Sequence, residues 1–176
     1  MDVRRTAELS ACGTYRYRLG RIMVETDVPF TRAGMAWYSP TTRVMAFVML
    51  NPSTADAYAD DPTIKRDMGF ALRDGYDEIC VMNLFAGRAT NPDDLFKMAD
   101  PEGPYNSEHW KALKASSAKI ICAWGADKRA VTQSKKFLDV MRGRDMYCLG
   151  LSKDGHPRHP LYLRADTPVQ PFQLGN

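Results

Sequence analysis

Four stretches of the chain carry residue types that can do chemistry. The first is Asn51-Pro52-Ser53-Thr54, directly after the apolar run Arg43 to Leu50. A carboxamide offers a donor and an acceptor together, so Asn51 can hold a water or a base edge. Pro52 stiffens the turn, and Ser53 and Thr54 add hydroxyls and backbone N–H groups. The same residues also read as a polar turn. Asp60 and Asp61 follow as adjacent acids. One caps the helix that starts at Pro62, and the other is available as a general base or a metal ligand.

Asn83 ends a second apolar run as Asn51 ends the first, so neighbouring strands would bring the two amides to one crevice. Phe85 can stack on a planar ligand or pack in the core. Arg88 can reach a phosphate or stay solvated. Trp124-Gly125 opens a third loop, and a helix N-terminus after a glycine can bind an anion. The fourth stretch, Gly155-His156-Pro157-Arg158-His159-Pro160-Leu161, holds two of the three histidines. A loop rich in glycine and proline is a poor place for a core histidine, so at least one of His156 and His159 is expected to act. Metal binding is disfavoured because His109 is remote in sequence and no third ligand is evident. No phosphate-cradling or dinucleotide glycine motif occurs, so neither a cofactor nor a metal is expected.

The elements that must position these loops are legible as patterns. Arg43–Leu50, Glu78–Met82, Lys119–Ala123 and Asp145–Leu149 are short, apolar and not strictly alternating, as strands buried on both faces of a parallel sheet are. Helical patterns separate them. Pro62–Asp74 has Asp61 as N-cap and Gly75 as its close; Asn106–Ala118 has Asn106 or Ser107 as cap; Lys128–Arg142 ends at Gly143. Thr90-Asn91-Pro92 reads as the start of a short helix from Pro92 to Met98. Thr14–Met23 alternates with period two, and Gly34–Tyr38 is a candidate partner. The pattern predicts an α/β fold: a three-layer α-β-α sandwich with right-handed crossovers. Its central sheet is four-stranded and mainly parallel, with an N-terminal antiparallel edge hairpin. In such a fold ligands sit beyond the carboxyl ends of the strands, where all four stretches fall.

Bulk properties bound the class. A chain of 176 residues fits one domain, expected over residues 1–176, with a core that needs no staples. A hydrophobic content of 44% argues against disorder. The net charge of +3 permits nucleic-acid binding without arguing for it. No apolar run is long enough for a membrane helix, and the N-terminal segment has no apolar signal region. Cys80, Cys122 and Cys148 sit in apolar runs and read as reduced core thiols of a cytoplasmic protein, and with no long apolar run no membrane partner is expected.

Taken in order, these loops resemble the uracil-DNA glycosylase superfamily. Asn51-Pro52-Ser53 is similar to the first motif of its mismatch-specific uracil and thymine branch. Asn83-Leu84-Phe85 through Thr90 is similar to that branch's Asn-Leu-x-x-Arg-x-Thr block. Ala123-Trp124-Gly125 resembles the superfamily's strand-ending Trp-Gly or Leu-Gly. His156 through Leu161 resembles its second motif, His-Pro-Ser-Pro-Leu, with one extra residue, so His156 and His159 both stand for one histidine. The chain also resembles domain-of-unknown-function family 1643, a bacterial and phage group. The marks are Asn-Pro-Ser-Thr-Ala-Asp, Asp-Asp-Pro-Thr-Ile and Gly-His-Pro-Arg-His-Pro-Leu-Tyr-Leu.

The glycosylase resemblance implies roles. Asn51 would orient the attacking water, and Asn83 would read the Watson–Crick edge of an extruded base on which Phe85 stacks. One histidine would meet the charge developing on the leaving base, and Leu161 would wedge into the vacated space. The leading expectation is therefore a nucleobase-directed DNA-repair-type hydrolase of the N-glycosidic bond of a modified or mismatched base. Its partner would be DNA or a free nucleobase or nucleotide. One alternative is a non-catalytic module binding a modified base or nucleic acid, with Arg158 on the phosphates. Another is a metal-dependent nucleotide hydrolase or transferase using Asp60 and Asp61.

Overall fold

The computed structural model describes residues 3–23, 43–53 and 58–173. Among these residues seven strands form one mixed sheet: β1 (Arg4–Leu9), β2 (Arg16–Ile22), β3 (Val44–Met49), β4 (Glu78–Asn83), β5 (Lys119–Cys122), β6 (Met146–Cys148) and β7 (Gln170–Pro171). Their order across the sheet is β1-β2-β4-β3-β5-β6-β7. The four apolar runs form its parallel centre, β4-β3-β5-β6. Antiparallel strands flank it on both sides.

Among the described residues four α-helices accompany the sheet: α1 (Pro62–Arg73), α2 (Pro92–Leu95), α3 (Asn106–Ala115) and α4 (Val131–Val140). Alternate residues of β3 separate two cores. Val44, Ala46 and Val48 pack with Trp110, Leu113 and Phe137 of α3 and α4. Met45, Phe47 and Met49 pack with Ile64, Phe70 and Ala71 of α1. Helices thus cover both faces, and the Trp110–Phe137 edge-to-face contact at 5.4 Å adds about 0.5–1.5 kcal/mol to their burial. Among the described residues no helix is long and apolar enough to cross a membrane.

Several local expectations need correction. The antiparallel edge exists, but β2 pairs with β1, a strand that the sequence pattern did not reveal. Arg4, Arg5 and Glu8 lie on an edge strand exposed to solvent, where no apolar face is required. The other candidate partner, Gly34–Tyr38, lies outside the described residues. The sheet also gains β7 at its far edge, so it is less purely parallel than the pattern implied. Asn106 does not cap α3. Tyr105 is its N-cap without a side-chain bond, and Asn106 is buried inside the first turn. The Lys128–Arg142 pattern begins as a 3-10 turn, Lys128–Ala130, capped by Asp127. Cys80, Cys122 and Cys148 are buried and free, as expected, while Cys12 is exposed.

Candidate active site

The parallel strands are wound both ways from the centre. The connection through α1 carries β3 to β4 on one side, and the chain then returns across β3 to β5. The loops after β3 and β5 therefore diverge, which is the crevice where open α/β sheets bind ligands. The described residues of all four chemistry-bearing stretches follow the carboxyl ends of β3, β4, β5 and β6.

Two loop pairs are zipped together there. Asn51 Nδ2 donates to the Ala89 carbonyl at 2.7 Å and to the Pro52 carbonyl at 3.0 Å. The Ala89 N–H donates back to the Pro52 carbonyl at 3.1 Å, and Phe85 N–H donates to the Leu50 carbonyl at 3.0 Å. The amide nitrogen of Asn51 is thus spent on holding loops, and among the described residues no donor reaches its Oδ1. Pro52 is buried and Ser53 half-buried. Thr54 lies outside the described residues. On the other side, Gly125 N–H donates to the Pro157 carbonyl at 2.9 Å, with Gly125 in the left-handed region at φ 81°.

Asn83 is the last residue of β4 and is 1% exposed. Its register partner is Met49, and Ile79 and Val81 on the same strand belong to the α1-side core, so its side chain points to the α1 face. Neither its Nδ2 nor its Oδ1 has a hydrogen-bond partner among the described residues. Leaving a buried amide unpaired costs about 1–3 kcal/mol. Its backbone is clamped instead: Asn106 Nδ2 and Trp110 Nε1 each donate to the Asn83 carbonyl at 3.1 Å. Asn106 Nδ2 and Gln133 Nε2 donate to the next carbonyl, Leu84, at 3.0 and 3.1 Å.

The two acids before α1 separate cleanly. Asp61 is the N-cap, accepting from Ile64 N–H at 2.9 Å. Asp60 accepts from Arg21 Nε at 2.5 Å and from Arg5 Nη2 at 3.1 Å. Burial opposes its charge, but hydrogen bonds and charge from Arg21 and Arg5 prevail and hold its carboxyl below the usual range. Asp60 is therefore a structural counter-ion to a fully buried arginine. Among the described residues no group of three His, Cys, Asp or Glu side chains is placed to hold a metal.

The histidines also differ. His156 closes a tight turn: its N–H donates to Ser152 Oγ at 3.1 Å, and its carbonyl accepts from Ser152 N–H at 2.8 Å. His159 is half-buried and caps the 3-10 turn Pro160–Tyr162, its Nδ1 accepting from Leu161 N–H at 3.3 Å. A neutral ring in that role carries its proton on Nε2. Burial lowers its pKa, and the nearby Asp61 carboxylate only partly opposes this. The turn packs on α1, where an Arg66 guanidinium nitrogen donates to the Leu163 carbonyl.

Phe85 is buried and meets Phe96 edge-to-face at 5.2 Å. Trp124 is buried between Phe137 and Phe172 at 5.9 and 5.6 Å. Arg88 Nη1 donates to the Gly13 carbonyl at 3.2 Å, which ties it to the loop before β2. Arg158 is exposed. Leu161 at 39% and Tyr162 at 77% form an exposed apolar rim beside His159.

One residue escaped sequence reading. Asp67 lies on the buried stripe of α1, with Ile64, Phe70 and Ala71. It is fully buried, and neither carboxylate oxygen has a partner among the described residues. Burial, with help from the Asp61 charge, pushes its pKa well up. An acid at a core-facing helical position was the available signal.

A family model described as Protein of unknown function (DUF1643) matches residues 16–161. The chain belongs to this family. Searches of curated proteins and of solved structures each found no match.

Proposed function

For this member of a family of unknown function, we propose a nucleobase-directed enzyme, a DNA-glycosylase-like hydrolase of the N-glycosidic bond of a modified or mismatched base. The observation that carries the reading is Asn83: the end of β4 holds a buried amide whose two polar atoms have no partner among the described residues. A base edge placed against it supplies the missing donor and acceptor. The order of Asn51, Asn83, Trp124-Gly125 and the double-histidine loop, similar to the uracil-DNA glycosylase superfamily, supports the same reading.

In this reading Asn51, anchored through its Nδ2, accepts through Oδ1 from the water that attacks the sugar C1′. The C1′–N bond breaks, and its electron pair leaves on the base. His159 Nε2–H donates to the resulting anion, in a half-buried setting where such a bond is strong. The water loses its proton to solvent as the new C1′–O bond forms. Leu161 fills the gap left by the extruded base, and Arg158 meets phosphate. DNA carrying uracil, a mismatched thymine or a modified pyrimidine is then converted to abasic product. Retention of every base at high enzyme rejects the reading.

A second reading, binding without catalysis, is favoured by one observation: Asn51 Nδ2 is committed to Ala89, which limits how the side chain can turn toward a water. It predicts salt-dependent binding weakened by Arg158→Ala, with no abasic product.

A further inference from the structure

Asp67 has no structural task among the described residues. It caps nothing, pairs with no cation, and accepts no hydrogen bond among the described residues, yet it is completely buried. A carboxylate in such a place is strongly penalised, and the group keeps its proton instead. A protonated carboxyl offers an O–H donor beside a C=O acceptor. Side chains on a helix lean toward its N-terminus, so Asp67 leans toward Asp61 and the carboxyl ends of the strands. Asn83, the other buried polar side chain whose two atoms are unpaired among the described residues, points to the same α1 face.

We propose that Asp67 is a ligand-reading residue of this same site, pairing through its O–H and C=O with a planar heterocycle that carries a donor next to an acceptor, while Asn83 holds another edge. The inference rests on the nucleobase reading above. It goes beyond it by adding a recognition group from α1, a helix that supplies no residue to that reading. A heterocycle meeting both groups is enclosed and dry, which strengthens each bond.

The charged and titratable groups on the same side of the sheet as Asp67 include Arg21 of β2, which sits opposite Ile79 and is paired with Asp60. Asp61 stands at the head of the Asp67 helix, and Arg66 is the neighbour of Asp67 in sequence. His159 comes from the turn packed on α1. From β3 and β4 the facing residues are Met45, Phe47, Met49, Ile79, Val81 and the neutral Asn83.

The test titrates free uracil, thymine and hypoxanthine into wild type, Asp67→Asn and Asp67→Leu from mildly acidic to mildly alkaline pH. Asp67→Asn keeps a donor and an acceptor but cannot ionise. It is expected to bind with affinity independent of pH where wild-type affinity falls as Asp67 loses its proton. Asp67→Leu is expected to weaken binding about tenfold to hundredfold. Both variants are expected to melt at higher temperature than wild type at neutral pH, because the buried acid is gone; this also reports that they fold. Wild-type affinity in Asp67→Leu, or an unchanged pH profile in Asp67→Asn, overturns the proposal and leaves the nucleobase reading standing. Failure of wild type to bind any probe at any pH overturns both.

Discussion

The side chain of Asn51 holds the loop after β3 to the loop after β4, donating to the Ala89 carbonyl at 2.7 Å. An aspartate there has no N–H to give and places a carboxylate against the Ala89 and Pro52 carbonyls. Asn51→Asp is therefore expected to destabilise by about 1–3 kcal/mol, more than Asn51→Ala, and to abolish any base release rather than enhance it. Denaturant melts of the two variants check the order. A more stable or more active Asn51→Asp would contradict it.

Asp60 faces a fully buried arginine. Removing the acid in Asp60→Ala leaves Arg21 buried with its main counter-charge gone, and a loss of about 3–5 kcal/mol follows. The pH dependence has a definite sign. A carboxyl with a lowered folded pKa contributes stability above the ordinary aspartate range and loses it as pH falls through the lowered value. Acid melts should show that loss in wild type and less of it in Asp60→Asn. Chelator should leave base release unchanged.

His159 and His156 should not be equivalent. His159→Ala is expected to reduce base release about 10²–10³-fold, the usual loss for one donor to a developing anion. His156→Ala keeps the backbone bonds that close its turn and should have a far smaller effect. Burial lowers the His159 pKa, so the ring stays neutral below the ordinary histidine range. Activity should persist into mildly acidic buffer and fall only as pH drops through that lowered value. A pH–rate profile on wild type and His156→Ala reads this directly.

Asn106 secures the strand end from below. In Asn106→Ala the Asn83 and Leu84 carbonyls keep Trp110 Nε1 and Gln133 Nε2 as donors, so neither is orphaned. The stability loss should stay near 0.5–1.5 kcal/mol. Base affinity should fall more than that change alone implies, because the Asn83 carbonyl loses one of its two clamping donors. Equal stability and equal affinity would contradict the clamp.

Much of this arrangement is legible in the sequence because the parallel strands are buried on both faces. Runs such as Val44–Met49 and Glu78–Asn83 have no solvent face to blur them, and Asp61-Pro62 marks the start of α1 by chemistry specific to helix starts. Edge strands lack that constraint. β1 is set by backbone pairing to β2, and its side chains record almost nothing of it. The site divides in the same way. Strand-end residues such as Asn83 stand out because a polar residue interrupts an apolar run. The commitment of Asp60 to Arg21 is a long-range contact that no local pattern encodes. Asp67 was visible in principle as a charge within a buried stripe, but helix Pro62–Arg73 also carries Lys65, Arg66 and Arg73, which mask one more charged residue.

The most direct test is base release from DNA bearing uracil, a mismatched thymine or a modified pyrimidine, compared between wild type and Asn83→Ala. Wild type should generate abasic sites on at least one substrate, and Asn83→Ala should lose most of that activity while remaining folded. Complete retention of every base by wild type, or undiminished release by Asn83→Ala, would contradict the account.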